Sequence, residues 1–124
     1  RRTLDLPFEE AVERITARLK EQGFGVLTEI DLQAALKKKL GIDVRRYLIL
    51  GACNPGFASR ALEGEVEIGL LLPCNVIVYA TDDGKVTVSA IDPQAMMSLA
   101  RNEALEELAR EVRERLEKAV AGLA

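Results

Sequence analysis

Two cysteines carry most of the chemistry open to this chain. They stand in Gly51-Ala52-Cys53-Asn54-Pro55 and in Leu71-Leu72-Pro73-Cys74-Asn75, each closing an apolar run and each followed by Asn. Asn54-Pro55 reads as a helix N-cap with Pro at the first helical position. A thiol just before such a terminus faces unsatisfied backbone N–H groups, which favour the thiolate. Three roles suit the pair. Cys53, Asn54, Cys74 and Asn75 can line one end of a small-ligand pocket. Cys53 can serve as a nucleophile in thiol redox or sulfur-transfer chemistry. Both thiols can hold a soft metal, Cu(I) between the two sulfurs or zinc with carboxylates added. Packing competes with all three, because free Cys is among the most often buried residue types.

Other constellations are weaker. Histidine is absent, which excludes a Ser-His or Cys-His pair and any His metal site within one chain. Gly23-Phe24-Gly25 lacks the phosphate-loop pattern and reads as a helix stop before a strand. Glu63, Glu65 and Glu67 alternate as a metal site would, but a solvated face explains them better. Arg60 lies near Cys53 in the chain and can hold an anion there, or simply face solvent. No acid–base or nucleophile–base pairing is legible, so no catalytic residue is assigned and neither cofactor nor resident metal is expected.

Composition narrows the classes. The chain has 124 residues with 20 acids and 17 bases, a net charge of −3, 48% hydrophobic and 30% charged residues. That is one globular domain, residues 1–124, with core enough to fold without disulfides or structural metal. Net acidity argues against nucleic-acid binding, and Lys37-Lys38-Lys39 and Arg45-Arg46 read as solvated edges. No apolar stretch reaches membrane-spanning length, and Arg1 to Pro7 has no signal-peptide core. Two cysteines without such a signal point to free thiols and a cytoplasmic setting. Three Asn and three Gln among abundant Glu, Lys and Arg resemble thermophile usage.

The elements that must position the thiols follow from periodicity. Phe8, Val12, Ile15 and Leu19 form one stripe of a helix over Pro7 to Gln22, with Gly23 as its stop. Phe24 to Ile30 alternates as a strand. Asp31 caps a short helix carrying Leu32, Leu36 and Leu40, ended by Gly41. Tyr47 to Cys53 is a continuous apolar strand, followed by a short helix with Phe57, Ala58, Ala61 and Leu62. Val66 to Leu72 reads as the next strand, stopped by Pro73. Val76 to Thr81 and Lys85 to Ile91 flank Asp82-Asp83-Gly84, the strongest hairpin signal in the chain. A two-residue turn at Asp83-Gly84 sets Tyr79 opposite Val88 and Ile77 opposite Ala90. Thr87 and Ser89 then share the face of Val78 and Val76, placing this strand nearer an edge. Asp92-Pro93 starts a helical turn through Met96 and Met97.

The last helix runs from about Asn102 to Ala121, with Leu105, Leu108, Val112, Leu116 and Val120 on one stripe. At ~1.5 Å per residue it is about 30 Å long, enough to cross a small sheet. Glu106–Arg110, Glu111–Arg115 and Glu114–Lys118 are spaced as i,i+4 ion pairs. Three consecutive strands with a tight hairpin predict an α+β fold of two layers, an antiparallel sheet with helices on one face. Apolar residues on both faces of the strands call for a second cover, and dimerisation through the sheet is one way to supply it.

The phrases around the thiols also carry a family resemblance. Ile49-Leu50-Gly51-Ala52-Cys53-Asn54-Pro55 with Ala58 and Ala61-Leu62, then Gly69 to Val76 with Tyr79, resemble the core of domain-of-unknown-function family 302. Phe8-Glu9-Glu10-Ala11-Val12, Gly23-Phe24-Gly25-Val26 and Asp92-Pro93 match as well, so the likeness covers about 8–97. The resemblance implies a bacterial or archaeal protein without established activity. It implies a TATA-binding-protein-like fold, a curved antiparallel sheet backed by helices, often as a homodimer. DNA binding does not follow from fold alone. The leading expectation is a non-enzymatic small-molecule-binding module with its site at the two Cys-Asn segments. Thiol redox or sulfur transfer at Cys53, or copper or zinc at Cys53 and Cys74, is the alternative.

Overall fold

A computed structural model describes residues 1–97 and 103–123. The elements run β1 (Arg2–Leu4), α1 (Phe8–Glu21), β2 (Gly25–Asp31), α2 (Leu32–Leu40), β3 (Tyr47–Cys53), α3 (Pro55–Gly64), a 3₁₀ segment (Val66–Leu71), β4 (Cys74–Ala80), β5 (Val86–Ala90), α4 (Pro93–Met97) and α5 (Glu103–Ala121). The expected start of the last helix at Asn102 lies outside the described residues. The five strands form one open antiparallel sheet in the order β1-β5-β4-β3-β2. The fold is therefore α+β, with α1 and α5 packed together on one face of the sheet.

Local chemistry accounts for most of these elements. Helix α1 buries Phe8, Ala11, Ile15 and Leu19, carries Glu9 and Glu10 in its first turn, and stops before Gly23 at φ 85°. Asp31 caps α2 by accepting from the Ala34 N–H at 2.9 Å, and Gly41 ends it in the left-handed region. Along β3 and β4 the even-numbered Leu48, Leu50, Ala52, Val76 and Val78 point under the helices and are buried. On the opposite face the rings of Tyr47 and Tyr79 stack at 5.6 Å. The α5 stripe of Leu105, Leu108, Val112, Leu116 and Val120 is buried throughout.

The structure corrects three readings and adds one strand that periodicity did not show. First, Val66–Leu71 is not a strand but a 3₁₀ segment in which Ile68 is buried while Val66 and Leu70 stay exposed. Both long sides of β3 are already taken, by β2 and β4, so no adjacent edge remains for this apolar run. Second, the hairpin register differs by one residue, with Val78 opposite Val88 and Tyr79 opposite Thr87. The loop has three residues, closed by the Thr81 N–H donating to Lys85 O at 2.9 Å, with Gly84 at φ 81°. This is the geometry of a turn followed by a bulge residue in the left-handed region. The shift carries Val86 and Val88 to the helix side and Thr87 to the other.

The added strand, β1, lies at an edge and is too short to show alternation. It is held to β5 by register and by a 2.9 Å hydroxyl–hydroxyl hydrogen bond between Thr3 and Thr87. Third, a bulge between Val26 and Thr28 breaks the expected alternation of β2, and Ile30 is left half in solvent. The ion pairs of α5 are also not the three expected from the sequence, one being i,i+3, one a base-before-acid i,i+4 pair and one a contact to α3. Arg110 meets Glu107 at 3.3 Å, Arg113 meets Glu117 at 3.1 Å, and Glu111 reaches across to Arg60 at 3.4 Å.

The buried apolar residues fall into two clusters. The larger lies between the sheet and α1 with the C-terminal half of α5. The smaller joins Ala61 of α3 and Ile68 of the 3₁₀ segment to Leu105, Leu108 and Ala109 of α5. The thiols lie where the two meet.

Candidate functional site

The β3–β4 pairing sets Ala52 opposite Cys74, so Cys53 is one residue from the position facing the second cysteine. Twenty residues of intervening chain fold back as α3 and the 3₁₀ segment and roof the junction. Beneath this roof is a cavity of about 40 Å³. Cys53, Asn54 and Cys74 line it together with Phe57, Leu72, Leu108 and Val112. The surroundings are almost wholly aliphatic and aromatic, and both thiols are free and half-buried. Space of this size holds a few waters or a group of a few heavy atoms, far less than a drug-sized ligand.

Electrostatics follow from the lining. Burial, and secondarily the neighbouring Cys53, push the Cys74 thiol up to about 11 from an ordinary 9.0. Desolvation in apolar surroundings penalises the thiolate. Cys74 is therefore a neutral, soft, weakly polar wall near neutral pH.

Asn54 does two structural jobs at the rim. Its Oδ1 accepts from the Phe57 N–H at 3.3 Å, capping α3 as expected. Its amide also lies against Gly23, where an added Cβ would stand 2.8 Å from Nδ2. Only a residue without a side chain permits that approach, and φ 85° favours glycine on its own account. Asn54 thus ties the end of α1 to the start of α3. Gly51 is equally constrained, since a Cβ there would come within 2.1 Å of Thr28 Oγ1 and 2.8 Å of Pro73 Cγ.

Asn75 does not join the other three. It pairs with Gly51, is exposed, and is absent from the cavity lining; its backbone carbonyl accepts from the Ile91 N–H at 3.0 Å. Strand alternation explains this, because Asn75 follows Cys74 and turns to the opposite face. Arg60 is engaged by Glu111 and by the Phe57 ring, with its guanidinium carbon 5.6 Å from the ring centroid. Sequence reading missed Phe57, Leu72, Leu108 and Val112 as site residues, though each stood on an apolar stripe. It also missed Arg115, which donates to Gln22 O at 3.3 Å and lies 5.4 Å from the Phe57 centroid. Apolar periodicity gives such residues away as buried but not as lining a void.

A larger cleft of about 200 Å³ lies at the other end of β3, lined by Glu9, Glu29, Asp31 and Arg46. Its charges largely answer one another. Arg46 pairs with Glu9 and holds that carboxyl below the usual carboxylate range, and Asp31 is spent on capping α2. The thiol cavity is smaller, and apart from Asn54, which caps α3, its lining carries no side chain engaged in an ion pair or a cap. Among the described residues no three His, Cys, Asp or Glu side chains gather as a metal site.

A two-layer antiparallel α+β scaffold with a thiol-lined cavity at the β3–β4 end defines the class. The chain belongs to the family described as domain of unknown function DUF302, whose profile matches residues 1–123. It is similar to the crystal structure of an uncharacterised conserved DUF302 protein from Bacillus stearothermophilus. That likeness has a TM-score of 0.87 and 29% identity over 97% of this chain and 94% of that one. Partial similarity extends to fluoride-specific ion channels FluC 1 of Brucella suis and of Brucella abortus. Each is 32% identical over 85 residues, 68% of this chain but 33% and 31% of those proteins. The chain thus spans about a third of the length of these curated relatives.

Proposed function

We propose that this chain is a non-enzymatic module that binds a small, uncharged, largely apolar group in the cavity between Cys53 and Cys74. One observation carries the reading: thiols 21 positions apart in the chain line a single apolar cavity under a roof formed by the segment between them. The lining offers a ligand dispersion contacts and soft sulfur, with one amide at the rim to orient it. The volume of about 40 Å³ suits a few heavy atoms, so a larger molecule would insert only one end.

The same physical features weigh against a chemical role for Cys74 and against a two-sulfur metal site. A Cys74 thiol pushed up to about 11 holds very little thiolate at neutral pH, which disfavours that sulfur as nucleophile or resolving thiol. A Cu(I) bound by both sulfurs would displace two protons and leave a net negative charge in an apolar void, at a large desolvation cost. Fluoride conduction does not transfer from the partial relatives. The overlap is a third of their length, and no helix of the described residues is long and apolar enough to cross a membrane.

The test is backbone and methyl NMR under a few bar of xenon and with propane-sized solutes. Shift changes concentrated at residues lining the cavity, and lost in Cys74→Leu, support the reading. Perturbations confined to other surfaces, with the cavity residues unmoved, overturn it.

A further inference from the structure

A cavity of about 40 Å³ takes only the tip of a molecule, so its mouth decides what the rest of the ligand can be. The α5 side of the lining is buried, whereas Asn54, Phe57 and Ala58 at the start of α3 and Leu72 to Cys74 keep part of their surface in solvent. The mouth therefore lies between the start of α3 and the entry to β4. Phe57 is the wall common to inside and outside. It packs against both apolar clusters, and it carries two guanidiniums, Arg60 at 5.6 Å and Arg115 at 5.4 Å from the ring centroid.

Charge at this mouth is unbalanced. Glu111 is spaced in the sequence to answer Arg115, but it reaches Arg60 instead, at 3.4 Å. Among the described residues Arg115 pairs with no acid and donates only to Gln22 O, at 3.3 Å, so most of its guanidinium fork has no protein acceptor. Asn54 brings further donors. Its Oδ1 is taken by the Phe57 N–H, and its Nδ2 donates to no described residue. Nδ2 and Arg115 Nη1 are neighbours, 2.8 Å and 3.9 Å from the point where a Cβ on Gly23 would stand. An apolar cavity thus ends in a guanidinium and an amide whose remaining donors face no acceptor.

We infer that the molecule taken by this cavity is a short-chain carboxylic acid, its apolar end between Cys53 and Cys74 and its carboxylate on Arg115 and the Asn54 amide. The inference rests on the cavity being a binding site, as proposed above, and adds the class of ligand. The aliphatic tail leaves water for an aliphatic and sulfur lining. The carboxylate stays at the surface, where it meets the planar fork without the cost of burying a charge. Inside the cavity the same carboxylate would be desolvated with nothing to pair it. Arg115 is on this account the residue that selects the head group, and the cavity selects the tail.

Matched probes separate the two parts. Hexanoate and hexan-1-ol are titrated into the whole chain, with Kd read from backbone and methyl NMR shifts of the cavity residues. In low salt hexanoate is expected to bind about five-fold tighter than the alcohol, a preference lost in Arg115→Gln and on raising salt toward 1 M, with the alcohol unaffected by the substitution. Arg115→Lys, which keeps the charge but not the fork, should fall between. Glu111→Gln releases Arg60 and should tighten hexanoate about two-fold. Circular dichroism checks that each variant is folded, and the salt dependence of the wild type needs no variant. Equal affinity for the two probes, or a hexanoate preference indifferent to Arg115, overturns this inference while the cavity remains a binding site. Cavity residues that respond to neither probe nor to xenon overturn both readings.

Discussion

The two apolar clusters share one helix but differ in how they are enclosed. In the larger, Val112, Leu116 and Val120 of α5 face a sheet whose strands are cross-linked on both sides, and α1 closes the layer. In the smaller, Leu105, Leu108 and Ala109 of the same helix pack with Ala61 of α3 and Ile68 of the 3₁₀ segment, and the short α4 lies against α5 as well. A sheet spreads load through backbone hydrogen bonds to distant strands, whereas a short roof rests on its own few side chains. Identical helix periodicity therefore backs onto a sheet floor at one end and a lid of short segments at the other, and the thiol cavity forms at the seam. Local opening of such segments is expected to need less free energy than global unfolding.

The comparison breaks or holds on matched truncations. Ile15→Ala in the large cluster is expected to cost about 3–4 kcal/mol in urea denaturation, while Ile68→Ala in the small one costs about 2 kcal/mol or less, because the roof can settle into the void. Hydrogen exchange should place α3 and 3₁₀ amides at lower opening energies than those of β3 and β4. Equal costs with equal protection would erase the distinction.

Gly51→Ala probes the seam from the sheet side. The added methyl meets Thr28 Oγ1 and Pro73 together, so a loss of about 2–3 kcal/mol is expected. Adding Thr28→Ala should return part of it. No recovery in the double variant would show that Thr28 is not the obstruction.

Cys74 probes the cavity itself. Its folded pKa is raised, so its neutral form favours the fold fully below the ordinary value of 9.0 and that stability is lost as pH rises through about 11. Two units correspond to at most about 2.7 kcal/mol, and about 2 kcal/mol is a fair expectation for a half-buried group. The difference in unfolding free energy between wild type and Cys74→Ala should change by that amount between pH 8 and pH 11. At pH 8 the thiolate fraction implies labelling about a hundred-fold slower than a free thiol of ordinary pKa. Rapid labelling of Cys74 in the folded chain contradicts the buried thiol.

The smallest expected effect is at the rim. Asn54→Ala removes the α3 cap and should cost about 1 kcal/mol, with Asn54→Ser losing less. It should also speed exchange in α3 selectively. A change spread evenly over the sheet would mean that Asn54 supports the floor rather than the lid.

Much of this was legible in particular residues. Asp31 and Asn54 announced their helices because a cap is a contact over three residues. The α1 and α5 stripes announced their buried faces, and the absence of histidine removed whole classes of catalysis. Those features rest on interactions a few residues long, which any chain with these residues would favour. The segment Val66–Leu71 was misread because strand formation needs a free partner edge, and β2 and β4 had already claimed β3. The hairpin register turned on a single residue, since Asp82-Asp83-Gly84 fits a two-residue and a three-residue loop almost equally in sequence. The meeting of Cys53 with Cys74, and the parting of Asn75 from both, depended on that sheet order and on strand alternation. Short-range chemistry chose the pieces, and competition for strand edges and space chose which thiols face the same void.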